Sequence, residues 1–454
     1  MTPVTPPPIP KAKGSLPLLG HVIPLIRDPL AFTASLRTAY GPLVEIALPG
    51  TPTVVVQDPE LIHAMLKNNT LDKGKFFEAM GEILGGDSVV TAAGQGHRRK
   101  RRQLQPAFAT PEIKRYVDTM RDEVTTTVDA WQSGQTLDVR EAMVELSLNM
   151  LAKTVFGGSL QGETFRQLRS DLSIVMTGVG ARIMLPSWAA KVPLPFNRRF
   201  DRAREGVRAT VGRAVDELRA SGHDTGDMLS LLLHATDSET GEPLTAHEIS
   251  SEIITLAVAG TETTASVLSW VLYELSRNPA IEAGVLDELH QVVGERPIAF
   301  GDVMRLPYLR RVIDEALRLH HTGFLVTRRT TTETRLGEWI LPAGVELAYC
   351  QHAWHRDPEL FPDPLRFDPD RWLMATQPSP SSGYIPFGTG AHKCIGDRFA
   401  LTAMITAIAT IVRRVRLELR DGQTVRPVAR ATVRPQTLRM TVQPRQATTA
   451  PLVA

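Results

Sequence analysis

The sequence predicts a mainly helical fold with a smaller β-rich portion, and three features of the chain indicate it. Helical patterns of apolar residues dominate from Asp58 to about His320. Residues 43–56 carry two β-rich runs around a Pro-Gly pair, which is typical of a hairpin. After Thr330 the patterns change to short β-type runs and turns, followed by a last helix that begins near the second cysteine and ends near Arg414.

The clearest helix begins at Thr245, where Thr245 and Glu248 are placed to form a capping box. It ends at Asn278, before a proline, and its roughly 30 residues span about 45 Å. Between residues 253 and 271 its only charged residue is Glu262. That stretch is long enough to cross a bilayer, but it contains six threonine and serine residues and no second segment resembles it. We therefore expect a helix that crosses the protein core, and no membrane anchor.

Composition narrows the class of protein. The 454 residues include 51 Lys and Arg against 49 Asp and Glu, a net charge of +2. A nucleic-acid binder needs a strong basic excess, so nucleic acid is not expected as a partner. Two cysteines are too few for a disulfide framework and favour a reducing compartment. We expect a flexible proline-rich arm at residues 1–15, which lacks the features of a signal peptide, and a single cytoplasmic domain at residues 16–454.

A short loop around Cys394 carries the strongest chemical signal. It contains Phe387, Gly390, Cys394 and Gly396, and it precedes the last helix. Glycines allow the backbone to approach a metal plane, a helix N-terminus and backbone N–H groups favour a thiolate, and an aromatic ring shields the sulfur. The alternative is a buried structural cysteine beside a glycine turn, which is our interpretation of Cys350.

The order of these residues resembles the haem-binding signature of the cytochrome P-450 superfamily, F-x-x-G-x-x-x-C-x-G. The resemblance covers nearly the whole chain. It implies the fold of that superfamily, with haem b between the long central helix and the helix after the cysteine loop. It also implies that Cys394 binds the haem iron as a thiolate, that Phe387 and Gly396 lie beside the cofactor, and that His392 contacts a haem propionate.

A second motif lies midway along the long helix, where Gly260, Glu262 and Thr263 follow an alanine. A carboxylate in an apolar stretch is costly to bury without a purpose. The plain alternative is the polar face of a half-exposed helix, with a threonine bonded to the carbonyl four residues earlier. The segment resembles the superfamily's oxygen-binding motif, A/G-G-x-D/E-T-T/S. This implies that Gly260 makes room beside the haem, that Thr263 hydrogen-bonds the oxygen being activated, and that Glu262 relays protons.

The pattern E-x-x-R recurs and is weak by itself. Four occurrences are expected to be surface helix pairs: Glu112 with Arg115, Glu163 with Arg166, Glu205 with Arg208, and Glu274 with Arg277. The pair Glu315 and Arg318 lies after the long helix and before FDPDRW. There the resemblance implies a buried structural lock with Arg371, whose role is in folding and not in chemistry.

Residues 97–102 form a dense basic run. Two interpretations of this run are a solvated helix face and a patch that binds nucleic acid. His97 and Arg101 are four residues apart and share one helix face. The resemblance implies that both contact haem propionates, with Arg328 as a third propionate ligand. The remaining cations are expected to dock an acidic redox partner: Arg98, Arg99, Lys100 and Arg102, with Lys393 and Arg398.

The expected substrate pocket is mostly apolar, which favours a hydrophobic substrate. Its walls are drawn from the stretches 76–90 and 176–188, from two positions of the long helix and from the segment after the E-x-x-R helix. The candidate residues are Phe76, Met176, Leu256, Ala259, Phe324, Leu325 and Val326. One segment departs from the superfamily. Residues 320–323, His-His-Thr-Gly, replace the usual aromatic-Pro-Pro run, which predicts a looser backbone there. Two adjacent histidines without a further spaced ligand do not indicate a metal site.

The resemblance implies a monooxygenase that inserts one oxygen atom from O2 into a hydrophobic substrate. The motifs are most similar to those of bacterial terpene oxidases of the pentalenene oxygenase type, so a sesquiterpene-like substrate of secondary metabolism is expected. Alternatives are a hydroxylase of a polyketide or fatty acid, and a haem-thiolate peroxygenase or isomerase. The acid–threonine pair argues against a peroxygenase or an isomerase. Electrons are expected from NAD(P)H through a ferredoxin and a ferredoxin reductase, and the enzyme is expected to be a monomer.

Overall fold

The computed structural model describes residues 6–445 except 50–51, 85, 87, 158, 184–191, 223, 374–382 and 430–431. The helices of this part of the chain are α1 (Val22–Arg27), α2 (Pro29–Tyr40), α3 (Pro59–Lys67), α4 (Lys75–Leu84), α5 (Gly94–Leu104), α6 (Thr110–Asp129), α7 (Val139–Phe156), α8 (Gly162–Ile183), α9 (Pro195–Ser221), α10 (Met228–His234), α11 (Ala246–Arg277), α12 (Pro279–Val292), α13 (Phe300–Val303), α14 (Pro307–Leu319) and α15 (Asp397–Arg414).

The strands of the described chain are short. They are β1 (Leu43–Ile46), β2 (Thr53–Val56), β3 (Leu71–Lys73), β4 (Thr136–Asp138), β5 (Val326–Thr330), β6 (Thr334–Leu336), β7 (Trp339–Leu341), β8 (Glu346–Tyr349), β9 (Val415–Leu419), β10 (Pro427–Ala429), β11 (Val433–Pro435) and β12 (Arg439–Pro444). The mainly helical fold with a smaller β-rich portion is therefore confirmed.

The long helix α11 is the axis of the core. Thr245 and Glu248 form the predicted capping box, and the helix ends before Asn278 as expected. It packs against α7, α8, α9, α14 and α15, and the main hydrophobic cluster gathers around it. Within the described residues, no helix combines the length and the apolar content needed to cross a membrane.

Acidic caps and prolines explain where several helices begin. The side chains of Asp28, Asp58, Asp138 and Asp227 each accept an N–H from the first turn of α2, α3, α7 and α10. These bonds satisfy donors that a helix start leaves free. Proline occupies the first turn of α2, α3, α6, α9, α12 and α14, where its missing N–H costs nothing.

The largest sheet has the order β1-β2-β8-β5-β3 and a separate hydrophobic cluster. The predicted hairpin is confirmed, because β1 pairs antiparallel with β2, Leu43 opposite Val56. Strand β3 pairs with β5, which places Lys73 opposite Arg328. The remaining sheets of the described chain have the strand orders β4-β12-β9, β6-β7 and β10-β11.

Part of the proline-rich segment at the start of the chain contacts this sheet. Ala12 is buried and donates its N–H to the carbonyl of Glu45, and Glu45 donates to the carbonyl of Pro10. Residues 10–12 therefore extend along β1 instead of projecting into solvent. Residues 1–5 of the predicted arm lie outside the described chain.

Candidate active site

The loop before α15 holds Cys394. Its N–H donates to the carbonyl of Phe387 at 2.9 Å, which closes the loop on itself. Gly390 adopts a φ of 72°, and a Cβ there would lie 2.1 Å from the carbonyl oxygen of Leu66 at the end of α3. Glycine is thus required at 390 by packing against α3. At Gly396 a Cβ would make only an ordinary contact with Phe108.

Protein atoms surround most of the Cys394 thiol, but the residue is exposed and lines a surface cavity of about 630 Å³. Burial raises the pKa of this thiol, while the N–H of Gly396 donates to the sulfur and opposes the shift. Nearby Asp397 raises the pKa further, and Arg101 lowers it. Cys350, by contrast, is fully buried with a pKa raised to about 11 by desolvation, which fits a structural cysteine.

Cationic and imidazole groups from four elements meet beside this loop. His97 and Arg101 come from α5, Arg328 from β5, Lys73 from β3, and His392 from the cysteine loop. The ring centroids of His97 and His392 are 4.3 Å apart, and Arg101 donates to the carbonyl of Lys393 at 2.5 Å. The sequence reasoning missed Lys73, because only the pairing of β3 with β5 brings it to Arg328.

This cluster has few internal counterions. Burial and then Arg328 lower the pKa of Lys73 to about 7. Burial, then neighbouring cations, lower the pKa of both His97 and His392 to about 3. Asp72 is the nearest acid, with its Oδ1 at 3.5 Å from His392 Nε2. Within the described chain, the arrangement fits an anionic ligand group.

Arg328 is a buried cation of this cluster. The residue is 5% exposed, and its guanidinium donates to the carbonyl of Thr327 at 2.7 Å. No carboxylate in the described part of the chain forms an ion pair with it. A buried charge of this kind is costly unless a partner compensates it.

The long-helix motif lies where predicted on α11. Gly260 is exposed although most of the helix around it is buried, and a Cβ there would meet only Leu151 at 3.6 Å. Thr263 donates to the carbonyl of Ala259 at 2.7 Å, so the back-bonding alternative is the geometry found. Glu262 contacts the β11 region, where Thr432 Oγ1 donates to its Oε1 at 3.3 Å.

The E-x-x-R pair and Arg371 form a buried cluster. Glu315 Oε1 accepts from Arg318 at 2.8 Å and from Arg371 at 2.9 Å. Arg318 also donates to the carbonyl of His355 at 2.6 Å, which ties α14 to the segment before Phe361. The side chains of Glu315 and Arg318 are fully buried.

Two of the other E-x-x-R pairs are exposed ion pairs as expected: Glu112 with Arg115 and Glu163 with Arg166. The surface-pair prediction is wrong for Glu274 and Arg277. Glu274 is buried and contacts His320, while Arg277 donates to Tyr273 Oη. Arg208 donates to the carbonyl of Leu84.

Much of the basic run is not available to a partner. Arg99 pairs with Glu248, Lys100 is buried between Glu248 and Glu252, and Arg102 pairs with Asp237 at 2.6 Å. These contacts join α5 to α11 and to the loop before it, so the docking prediction is wrong for Lys100. Lys393 and Arg398, which line the cavity at Cys394, are exposed, and so is Arg98 on α5.

The predicted pocket residues divide between two clusters. Leu256 is buried and Met176 half-buried in the main core, whereas Val326 packs in the sheet cluster. The other candidates are half-buried: Phe76, Ala259, Phe324 and Leu325. Residues 184–188 of the predicted wall lie outside the described chain.

The segment 320–323 makes backbone contacts with the segment at β11, and the looser backbone predicted for it stays a prediction. Val433 donates its N–H to the carbonyl of Thr322 at 2.9 Å, and Gly323 forms a bridge with Thr432. His321 is buried, with Nδ1 at 3.1 Å from the carbonyl of Gly323. No group of three or more metal-ligating side chains is found among the described residues.

Known proteins share this fold. A family model described as Cytochrome P450 matches residues 7–442. The haem domain of cytochrome P450DA, a solved structure, has a TM-score of 0.86 at 26% identity, covering 97% of this chain and 98% of that one. A retinoic-acid-bound cyanobacterial structure, CYP120A1, has the same TM-score at 23% identity and shares the fold, covering 97% of this chain and 100% of that one.

The fold and the cysteine loop therefore define a haem-thiolate protein, and the chain belongs to the cytochrome P450 family. Among its relatives, cyclooctat-9-en-7-ol 5-monooxygenase of Streptomyces melanosporofaciens is 41% identical over 417 residues, which is 91% of this chain and 90% of the relative. Pentalenene oxygenase of Streptomyces avermitilis is 34% identical over 432 residues, 94% of this chain and 96% of the relative. The protein is a cytochrome P450 monooxygenase that uses redox partners, a substrate and O2.

The residues present fit a haem. Cys394 would supply the sulfur ligand, on a loop closed by its own backbone. Arg328 is buried, and the Nδ1 of His392 is buried without a hydrogen-bond partner among the described residues, so these two groups would be donors for haem propionates. Imidazole and guanidinium donors suit carboxylates, which accept two or more hydrogen bonds each.

Proposed function

We propose that this enzyme hydroxylates a cyclic terpene in secondary metabolism. The similarity to two Streptomyces enzymes carries the proposal, since one is named for cyclooctat-9-en-7-ol and the other for pentalenene. The apolar character of the candidate pocket residues supports it, because a pocket of that kind favours a hydrocarbon skeleton over a charged substrate. The pocket candidates remain Phe76, Met176, Leu256, Ala259, Phe324, Leu325 and Val326.

Each residue of the site has a proposed role. Cys394 holds the iron of haem b, with Phe387 beside the sulfur. The groups proposed to bind the propionates are His97, Arg101, Arg328 and His392. When bound, the haem supplies the redox chemistry of oxygen activation, while the chain supplies orientation and proton control.

Proton delivery is assigned to the acid–threonine pair of α11. Glu262 is 31% exposed at its side chain, so it can exchange protons with solvent. Thr263 is the residue after Glu262 on α11, and its hydroxyl donates a hydrogen bond to the carbonyl of Ala259. A hydroxyl that already donates to a carbonyl keeps its lone pairs free to accept a hydrogen bond.

Electrons come, in this proposal, from NAD(P)H through a ferredoxin and its reductase. The proposed docking surface is the exposed face around Arg98, Lys393 and Arg398, next to the cavity that reaches Cys394. An acidic partner protein is favoured there, because complementary charge speeds encounter.

A spectral titration with a panel of substrates tests the proposal. Cyclic terpenes are expected to displace water from the ferric iron at micromolar concentrations, and fatty acids and polyketide cores are not. Reconstitution with ferredoxin, reductase and NAD(P)H should then yield a hydroxylated terpene. Turnover with peroxide alone, and none with ferredoxin, would instead favour the peroxygenase alternative.

The thiolate role has its own test. The reduced protein with carbon monoxide should show the red-shifted absorption band of a thiolate-ligated haem. The Cys394→Ala variant should lose that band, whereas Cys350→Ala should keep it. An unchanged spectrum in Cys394→Ala would refute the assignment.

A further inference from the structure

The carboxylate of Glu262 does not stand alone on α11. Its Oε1 lies 3.5 Å from Arg434 Nε and accepts a hydrogen bond from Thr432 Oγ1 at 3.3 Å. Both contacts go to the same oxygen. They come from the segment at β11, which is 170 residues away along the chain.

This segment is fixed by backbone contacts on two sides. Val433 donates its N–H to the carbonyl of Thr322 at 2.9 Å, and its carbonyl accepts from Trp270 Nε1 at 3.4 Å. Thr432 also bridges to Gly323. Because side chains alternate along an extended strand, Thr432 and Arg434 share one face and Val433 lies on the other. The positions of Thr432 and Arg434 relative to α11 are therefore set by the fold.

The pair lies at the boundary between solvent and core. The side chains of Arg434 and Glu262 are 20% and 31% exposed, while Thr261 and Thr264, beside them on α11, are buried. An ion pair at such a boundary is weak and breaks readily. Such a contact can orient a carboxylate and still let it turn inward.

We propose that Arg434 is a positioning residue for proton delivery, holding Oε1 of Glu262 toward β11 so that Oε2 remains available to exchange a proton. Thr432 assists by bonding the same oxygen. The inference rests on the proposed role of Glu262 as proton relay. It adds a residue that acts on proton delivery through that carboxylate.

Four variants test it in the haem-loaded enzyme: Arg434→Gln, Arg434→Lys, Glu262→Gln and the double variant Arg434→Gln/Glu262→Gln. Arg434→Gln should lower kcat of the O2-driven reaction about 10-fold, a part of the effect expected of an acid–base group. The KM for substrate should stay within about 2-fold. Arg434→Lys should recover most of the rate, because it keeps the charge.

Three further readouts separate positioning from structural damage. Peroxide-driven turnover of Arg434→Gln should equal wild type, because peroxide bypasses proton delivery. The spectral dissociation constant for substrate and the denaturation midpoint should also be unchanged. Arg439→Gln, an exposed arginine on β12, is the matched control and should alter none of these values.

The outcomes are distinct. If Arg434→Gln turns over O2 like wild type while Glu262→Gln is slow, the inference is overturned and the proposed function stands. If Glu262→Gln is as fast as wild type, the proton relay itself is wrong. A loss that is equal with O2 and with peroxide, or one that adds fully to that of Glu262→Gln in the double variant, also overturns the role of Arg434.

Discussion

The imidazole of His320 stacks on the indole of Trp270, with ring centroids 3.9 Å apart and planes 4° from parallel. The same imidazole places its Nε2 2.6 Å from Oε1 of Glu274, one helical turn further along α11. Burial lowers the pKa of His320, and the Glu274 carboxylate partly opposes that shift. A neutral ring that donates Nε2–H to the carboxylate satisfies both observations. This contact joins the end of α14 to α11 in a segment that lacks the usual prolines.

Replacing His320 should therefore destabilise the protein in two separable parts. His320→Ala removes the stack and the hydrogen bond, and should lower the free energy of unfolding by about 2–4 kcal/mol. His320→Phe keeps a stacked ring and should lose only about 1–3 kcal/mol. Denaturant unfolding measures both. Equal losses in the two variants would show that the stack contributes nothing.

The stability of the protein should depend on the guanidiniums of both Arg318 and Arg371, because they compensate the buried carboxylate of Glu315. Arg318→Met leaves a fully buried carboxylate with half its partners and should cost about 3–5 kcal/mol. Arg166→Met, in an exposed E-x-x-R pair, should cost less than about 1 kcal/mol. If Arg318→Met does not fold, Arg371→Met can be measured instead. This milder substitution removes one of the hydrogen bonds to Glu315.

Two glycines of the cysteine loop should respond differently to alanine. Both have positive φ, 68° at Gly388 and 72° at Gly390. At Gly388 the added Cβ meets nothing within 4 Å, so the loss should be about 1–2 kcal/mol of backbone strain. At Gly390 the Cβ would clash with Leu66, so the loss should be clearly larger. Thermal unfolding and haem retention measure the difference, and equal effects would contradict the packing argument.

Buried histidines should make the fold sensitive to acid. Burial lowers the pKa of His355 to about 3, against an unfolded value near 6.5. The unfolded state then binds more protons than the folded state between these pH values, so the contribution to stability is complete above pH 6.5 and is lost as pH falls. One such group changes the free energy of unfolding by at most about 1.4 kcal/mol per pH unit.

His355→Asn should remove that part of the slope. The unfolding free energy measured from pH 6.5 down to pH 5 should fall less steeply than in wild type, whatever its absolute value. His290→Asn, at an exposed histidine of α12, should leave the slope unchanged. A His355→Asn slope equal to wild type would contradict the assignment.

Charge reversal should identify the docking surface. Arg398→Glu should slow reduction by ferredoxin about 10-fold at low ionic strength, and the difference should shrink in high salt. Arg99→Glu should chiefly lower stability, because Arg99 is already paired with Glu248. Arg420→Glu, at an exposed position directly after β9, is the control for the change in net charge. A rate unaffected by Arg398→Glu would move the docking surface elsewhere.

Local patterns were sufficient for several elements. The capping box of Thr245 and Glu248 located the start of α11 because its two residues act within one helical turn. The hairpin of β1 and β2 was found for the same reason, and the last helix began at Asp397, close to the expected position. By contrast, the environment of Glu274 was misjudged, because its partner His320 is 46 residues away.

The sequence by itself determined the family, the cysteine loop and the acid–threonine motif, since each consists of residues that lie close together along the chain. Only the tertiary structure decided which charges meet. It paired Arg99 with α11, set Lys73 opposite Arg328, and brought Arg434 to Glu262. The physical reason is that the energy of a charge depends on its burial and on its nearest countercharge. Both are set by elements that the chain brings together from distant positions.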